Sequence, residues 1–77
     1  MHTPQLDMGS LFSQLGLSNQ PTDIDRFIET HRGLPANMDL ADAPFWNMAQ
    51  ASFIRESLNE DADWAEVIDQ LSAMLHN

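Results

Sequence analysis

Apolar residues recur along the chain at the spacing of amphipathic helices, and no segment shows the strict alternation of a half-buried strand. Four segments follow the helical pattern, and polar or glycine-containing breaks separate them. The predicted helices cover residues 8–15, 23–32, 48–58 and 62–75. The pattern therefore predicts an all-α fold, with four short helices in a compact orthogonal or bundle-like array.

Signals for helix starts and ends accompany this pattern. A short polar residue before each helix can accept hydrogen bonds from the exposed amides of the first turn. The predicted N-caps are Asp7, Thr22, Asn47 and Asp61. Gly16 and Gly33 follow the first two helices, where a left-handed glycine is common. Residues 59–61 are the predicted turn between the last two helices.

The connection between the second and third helices, residues 33–46, is long for a small domain. Apolar residues are spaced through it, which is typical of a packed loop and not of a solvated linker. We expect it to lie across the helices, with one helical turn near residues 40–43. A length of 77 residues fits one domain and leaves no room for a second, so residues 1–77 are predicted to form one small helical domain.

The last two helices differ in the width of their apolar faces. The fourth carries a single clear stripe, made by Trp64, Val67, Ile68, Leu71, Met74 and Leu75. The third has Met48, Ala51, Ile54 and Leu58 on one face, and Ala49 and Phe53 on the other. A helix with two apolar faces is either central or shared with a second molecule. Phe53 is therefore a candidate interaction residue.

The charge of the chain is strongly acidic and uneven. The 12 Asp and Glu residues outweigh 3 Arg and no Lys, which gives a formal charge of −9 on 77 residues. Residues 39–77 carry −7 of this charge and residues 1–38 carry −2. Binding to nucleic acid or to an anionic membrane is opposed by this charge. No signal peptide or membrane-spanning segment is evident, so we expect a cytoplasmic protein.

Three segments together resemble a known bacterial family. They are residues 27–32 (FIETHR), 40–46 (LADAPFW) and 61–71 (DADWAEVIDQL). The chain resembles the bacterial domain-of-unknown-function family 2789 over nearly its whole length. This resemblance implies a small all-helical protein. It implies no activity, and it supplies no functional residues.

His31 and Arg32 form the one polar pair that suggests chemistry, as an acid–base histidine beside an anion-binding arginine. The alternative is a helix end that favours cations, with His31 packed beside Phe27 and Ile28. Catalysis would need an orienting partner and a nucleophile, and the sequence shows neither. We therefore predict no catalytic residue and keep this pair as a weak candidate polar site.

Metal and cofactor motifs are incomplete. Asn59, Asp61 and Asp63 match the start of a calcium loop, but Trp64 and Gln70 replace its required Gly and Glu. The chain has no Cys, and its 3 His residues are far apart. Acyl carrier proteins are also small, acidic and helical, but neither Ser-Leu pair here has their Asp-Ser-Leu setting. No metal and no cofactor are predicted.

Phe45 and Trp46 are the most informative residues of the long loop. They are either an aromatic anchor for a partner's pocket or a plug that closes the protein's own core. The leading hypothesis is a non-enzymatic protein–protein interaction module, with a homodimer as one form of it. The alternatives are an acidic mimic of nucleic acid, and a minor ligand binder or enzyme that uses His31 and Arg32.

Overall fold

Four helices and one short turn make up the regular structure. The computed structural model describes residues 7–77. The helices are α1 (Met8–Gln14), α2 (Pro21–His31), α3 (Met48–Glu60) and α4 (Ala62–Leu75), with a 3₁₀ turn at Leu40–Asp42. Residues 7–77 contain no strand, so the all-α prediction is confirmed. Within the same range, every helix is too short or too polar to cross a membrane.

Local hydrogen bonds fix both ends of α1. The Asp7 carboxylate accepts from the Ser10 backbone amide at 2.8 Å, as predicted for an N-cap. This bond and a second one from the Ser10 hydroxyl lower the pKa of Asp7. At the other end Gly16 has a φ of +76°, and the Leu17 amide donates to the Phe12 carbonyl at 2.8 Å. This is a Schellman ending, which requires a left-handed residue at the glycine position.

The predicted start of α2 is wrong by two residues. The helix begins at Pro21, and Gln20 occupies the N-cap position, so Thr22 lies inside the helix. Proline suits the first helical position, because its fixed φ is helical and its missing N–H would have no partner there. The Ser18 hydroxyl donates to the Asp23 carboxylate at 2.7 Å, which ties the preceding loop to the first turn.

The predicted turn at residues 59–61 is also wrong, because α3 continues through Asn59 and Glu60. Asp61 alone separates α3 from α4. Its carboxylate accepts from the amides of Asp63 and Trp64 at 3.1 and 3.3 Å, which confirms it as the N-cap of α4. Its own amide closes the last turn of α3. One residue can therefore end one helix and begin the next.

A single apolar core lies between α1, α3, α4 and the 3₁₀ turn. Its buried apolar residues are Leu11, Phe12, Leu15, Leu40, Ala41, Ala43, Trp46, Ile54, Val67, Ile68, Leu71 and Leu75. No residue of α2 is fully buried, so this helix covers the core from outside. Met74, which the sequence pattern placed in the stripe of α4, is exposed at the edge of that stripe.

The face that α3 turns to the core is only partly the predicted one. Ile54 is fully buried and Ser57 is buried with it, whereas Met48 is 87% exposed and Leu58 is 38% exposed. At about 100° per residue, Met48 lies about 120° around the axis from Ile54, and Ser57 lies about 60° away on the opposite side. The buried face is thus rotated towards Phe53, which packs against the core. Ala51 and Phe53, which the sequence pattern places on different faces, both pack against the core, as expected of a central helix.

The long connection between α2 and α3 is packed, as predicted. Gly33 adopts a φ of +94° directly after α2. The amides of Gly33 and Leu34 both donate to the Leu75 carbonyl, at 2.8 and 2.9 Å. Further along, Leu40 and Ala41 bury their side chains in the 3₁₀ turn. The connection is therefore held at the C-terminal end of α4 and again at the core.

Candidate functional site

An aromatic cluster brings together three of the sequence-predicted residues. The Phe27 ring lies at its centre, with the rings of His31, Phe45 and Trp46 at centroid distances of 4.5, 5.6 and 5.6 Å. Phe12 completes the cluster from α1 at 5.2 Å. Trp46 is only 9% exposed. The burial of Trp46 therefore fits a residue that closes the protein's own core. It does not fit an aromatic anchor for a partner's pocket.

His31 and Arg32 have separate partners. The His31 ring stacks on Phe45 at a centroid distance of 4.2 Å. The Arg32 guanidinium instead donates to the Glu29 carboxylate at 2.8 Å, and both groups are solvent-exposed. This arrangement matches the alternative of a packed helix end. The two side chains do not converge on a common substrate position.

Phe53 lies away from this cluster, on α3. Its ring meets the Trp64 ring edge-on, at a centroid distance of 5.7 Å. Both side chains are half-buried, and both pack against the core. The contact joins α3 to α4 close to their connection at Asp61. It accounts for the apolar character of Phe53 without a partner molecule.

The calcium-like pattern at residues 59–63 has a structural explanation. One oxygen of Asp61 is already occupied by the first amides of α4. Asn59 belongs to α3 and Asp63 to α4, so the three residues do not share a loop. Among residues 7–77, no three His, Asp or Glu side chains are arranged to hold a metal ion.

A groove of about 600 Å³ opens between the long connection, α3 and α4. Residues 36–42 form one wall, and Arg55, Leu58 and Asn59 of α3 form the second. The third wall comprises Ile68, Asp69 and Ser72 of α4 and His76, the residue that follows this helix. This volume lies within the range of ordinary ligand sites.

The apolar surface that the groove offers comes mainly from two side chains. Leu58 is 38% exposed, and Met38 is half-buried. Leu40 and Ile68 lie beneath them and are almost fully buried. An apolar ligand would therefore rest on Leu58 and Met38.

His76 joins two walls of the groove. Its Nε2 lies 2.7 Å from the Met38 carbonyl, and its Nδ1 lies 2.7 Å from the Ser72 carbonyl. A carbonyl oxygen can only accept, so both contacts are hydrogen bonds only when the imidazole carries two protons. The Met38 carbonyl, the Ser72 carbonyl and the charge of Asp39 accordingly raise the pKa of His76.

The charges of the groove are only partly balanced. Arg55 donates to the Asp42 carboxylate at 2.9 Å, across the gap between α3 and the 3₁₀ turn. Asp39 and Asp69 are exposed, and neither carboxylate forms a hydrogen bond or ion pair within residues 7–77. Arg55 therefore balances Asp42 and leaves the carboxylates of Asp39 and Asp69 unpaired. The rim therefore remains acidic.

Residues 1–75 match the sequence profile of a family described as "Protein of unknown function (DUF2789)". The chain belongs to the DUF2789 family. It is also similar to a Chromobacterium violaceum protein whose solution NMR structure comes from structural genomics work. That similarity has 45% sequence identity and a TM-score of 0.79, over 90% of this chain and 86% of the other. No significant match was found among curated proteins.

The groove of this DUF2789 protein contains none of the candidate interaction or polar-site residues predicted from sequence. His31, Arg32, Phe45, Trp46 and Phe53 all lie outside its walls. One available signal was the mixture of acidic and apolar residues at 38–42, within a loop predicted to be packed. A second signal was Leu58, an apolar residue placed in an otherwise polar stretch at the end of α3.

Proposed function

We propose that this DUF2789 protein is a non-enzymatic interaction module that binds a segment of another protein in the groove. The observation that carries the proposal is the accessible apolar surface of Leu58 and Met38, which lie in two walls of a groove of about 600 Å³. Apolar side chains left accessible in a concave surface favour association, because covering them removes that surface from water.

The polar groups of the groove favour binding over catalysis. Arg55 is engaged with Asp42, and both ring nitrogens of His76 are directed at backbone carbonyls. A general acid, a base or an oxyanion donor must instead be free to reach a reacting atom. The internal partners of these groups therefore support a structural role for the groove walls.

The formal charge supports a protein partner. At −9, the chain would be repelled by the phosphates of nucleic acid and by anionic lipid headgroups. Self-association would bring two such charges together, which is unfavourable at low ionic strength. A different protein, with a complementary charge, fits these constraints better than a second copy.

Site-specific photo-crosslinking in the native cell tests the proposal. A benzoyl-phenylalanine is placed at Leu58 in one variant and at Met48 in a second. Both positions are exposed apolar residues of the same helix, but only Leu58 lines the groove. We expect a discrete adduct with another protein from position 58, at a yield well above that from position 48. Circular dichroism and thermal unfolding of both variants show whether the fold is retained.

Two results would contradict the proposal. Equal yields at both positions, or no adduct at position 58, would remove the groove as the binding surface. An adduct of twice the mass of the chain would show that the groove binds a second copy of this protein, and not a different protein. Mass spectrometry of the crosslinked peptides distinguishes these results, because it identifies the second chain and the residue that reacted.

A further inference from the structure

The groove combines an apolar centre with an acidic rim. Leu58 and Met38 supply the accessible apolar surface, and Asp39 and Asp69 stand on the rim from the long connection and from α4. Asp42 also lines the groove, but its charge is balanced by Arg55 at 2.9 Å. The two remaining carboxylates therefore set the charge that an incoming ligand meets.

This combination is complementary to one kind of peptide. An amphipathic helix presents apolar residues along one face, and residues on the borders of that face can carry charge. Helices of this kind dock into apolar grooves through anchors at i, i+3, i+4 and i+7. Lys or Arg at the borders would meet the acidic rim, and Met38 can adapt to differently shaped anchors.

The backbone of the partner segment also favours a helix. A helix satisfies its own amides and carbonyls, so it needs no hydrogen bonds from the groove. An extended segment that binds by strand addition would need an open strand edge, and residues 7–77 contain no strand. The Met38 carbonyl on the groove wall already accepts from His76. The groove therefore offers side-chain contacts more than backbone pairing.

We infer that the groove binds a basic amphipathic helix of another protein. An apolar residue of that helix packs on Leu58 and Met38, and its Lys or Arg side chains pair with Asp39 and Asp69. This inference rests on the proposed function and specifies the chemistry of the partner.

A second copy of the chain fits the groove poorly, because it has few basic side chains to pair with the acidic rim. The chain has no Lys and 3 Arg residues. Arg32 pairs with Glu29 and Arg55 pairs with Asp42, so Arg26 alone has no ion pair within residues 7–77. A single exposed arginine on α2 cannot give the chain a helix with a basic border. The partner must therefore differ from this protein.

Peptide titrations followed by ¹H–¹⁵N NMR test the inference on the full chain. The probe is a synthetic amphipathic peptide of about 18 residues, long enough to form a helix, with Leu at i, i+3, i+4 and i+7 and Lys on both borders. The control peptide has Glu in place of every Lys. We expect the Lys peptide to shift the amides of Asp39, Leu58 and Asp69, and to bind more weakly as salt rises. The Glu peptide should cause no such shifts.

Charge-neutral variants separate the groove from the overall charge of the chain. Asp39→Asn and Asp69→Asn should each lower the affinity for the Lys peptide about two- to fivefold, as expected for the loss of one exposed ion pair. Asp25→Asn removes the same charge from an exposed position on α2, and it should leave the affinity unchanged. An equal loss in all three variants would show general attraction to an acidic chain and would overturn the inference.

The two proposals can fail separately. If position 58 crosslinks to another protein but the Lys and Glu peptides bind equally, the inferred basic partner is wrong and the interaction module remains. If the Lys peptide shifts amides only outside the groove, the inferred site is wrong as well. If position 58 gives no adduct, the proposed function fails, whatever the peptides do.

Discussion

The Trp46 indole nitrogen donates a 2.8 Å hydrogen bond to the Leu40 backbone carbonyl. Trp46 ends the long connection and Leu40 begins its 3₁₀ turn, so the bond closes this part of the connection on itself. Both residues are buried, at 9% and 3% exposure. A buried indole N–H needs an acceptor, and this carbonyl supplies it. The bond therefore permits a large aromatic ring to fill the core of a 77-residue protein.

Trp46→Phe should destabilise the protein by about 1–3 kcal/mol. The substitution keeps an aromatic ring but removes the donor to Leu40, and the smaller ring leaves unfilled volume. Urea unfolding followed by circular dichroism measures the free energy of unfolding.

Trp64→Phe is the matched control for this experiment. Trp64 is half-buried against Phe53, and its indole forms no hydrogen bond with residues 7–77. Its replacement should cost less than about 1 kcal/mol. If both substitutions lower the free energy of unfolding equally, the hydrogen bond to Leu40 adds no measurable stability.

Short-range signals predicted the helices well. Asn47 and Asp61 were predicted as N-caps from residue type and position alone, and both accept hydrogen bonds from first-turn amides. In the second bond of the capping box, the Asn47 backbone amide donates to the side-chain oxygen of Gln50, three residues on. Such contacts lie within one turn of helix, so the local sequence contains everything that determines them.

Longer-range features could not be predicted in this way. Periodicity shows that α3 has apolar residues, but not which arc of the helix meets the core. It therefore groups Met48 with Ile54 on one face, although Met48 is exposed and Ile54 is buried. The groove needs residues 36–42, 55–59 and 68–76 to meet. These segments come together only through tertiary packing, and no local pattern marks them as neighbours.

Two glycine substitutions near α1 should have opposite effects. Gly16→Ala forces a side chain into a backbone with a φ of +76°, so it should cost about 1–2 kcal/mol although the space around it is open. Gly9→Ala lies inside α1, where a Cβ would meet Asp7 at 3.5 Å, an ordinary contact. It should stabilise the protein by about 0.5 kcal/mol, because alanine restricts the unfolded chain. Thermal and urea unfolding of both variants check the signs, and destabilisation by Gly9→Ala would contradict the second expectation.

His76 should make stability depend on pH. The Met38 and Ser72 carbonyls raise its pKa above the usual 6.5. Because the folded state binds the proton more tightly, the stabilisation is complete below the unfolded pKa and is lost as the pH rises through the folded pKa. The difference in free energy of unfolding between wild type and His76→Gln should therefore shrink as the pH rises from the unfolded pKa through the folded pKa. A difference that stays constant with pH would exclude this role.

An NMR titration of the His76 ring protons reports its pKa directly. Asp39→Asn should lower that pKa, because the charge of Asp39 favours the protonated ring. The Asp25→Asn variant, on α2, should leave the pKa of His76 unchanged. An unchanged pKa in Asp39→Asn would assign the shift to the two carbonyls alone.

The rotated face of α3 predicts a contrast between two apolar residues of that helix. Ile54 is fully buried, so Ile54→Ala should cost about 2–5 kcal/mol through lost burial and a new cavity. Met48 is 87% exposed, and Met48→Ala should change the free energy of unfolding by less than about 0.5 kcal/mol. Urea unfolding of both variants measures the contrast. A large loss at Met48 would mean that this side chain is covered in solution. The predicted apolar face that includes Met48 would then be a contact surface for a second molecule.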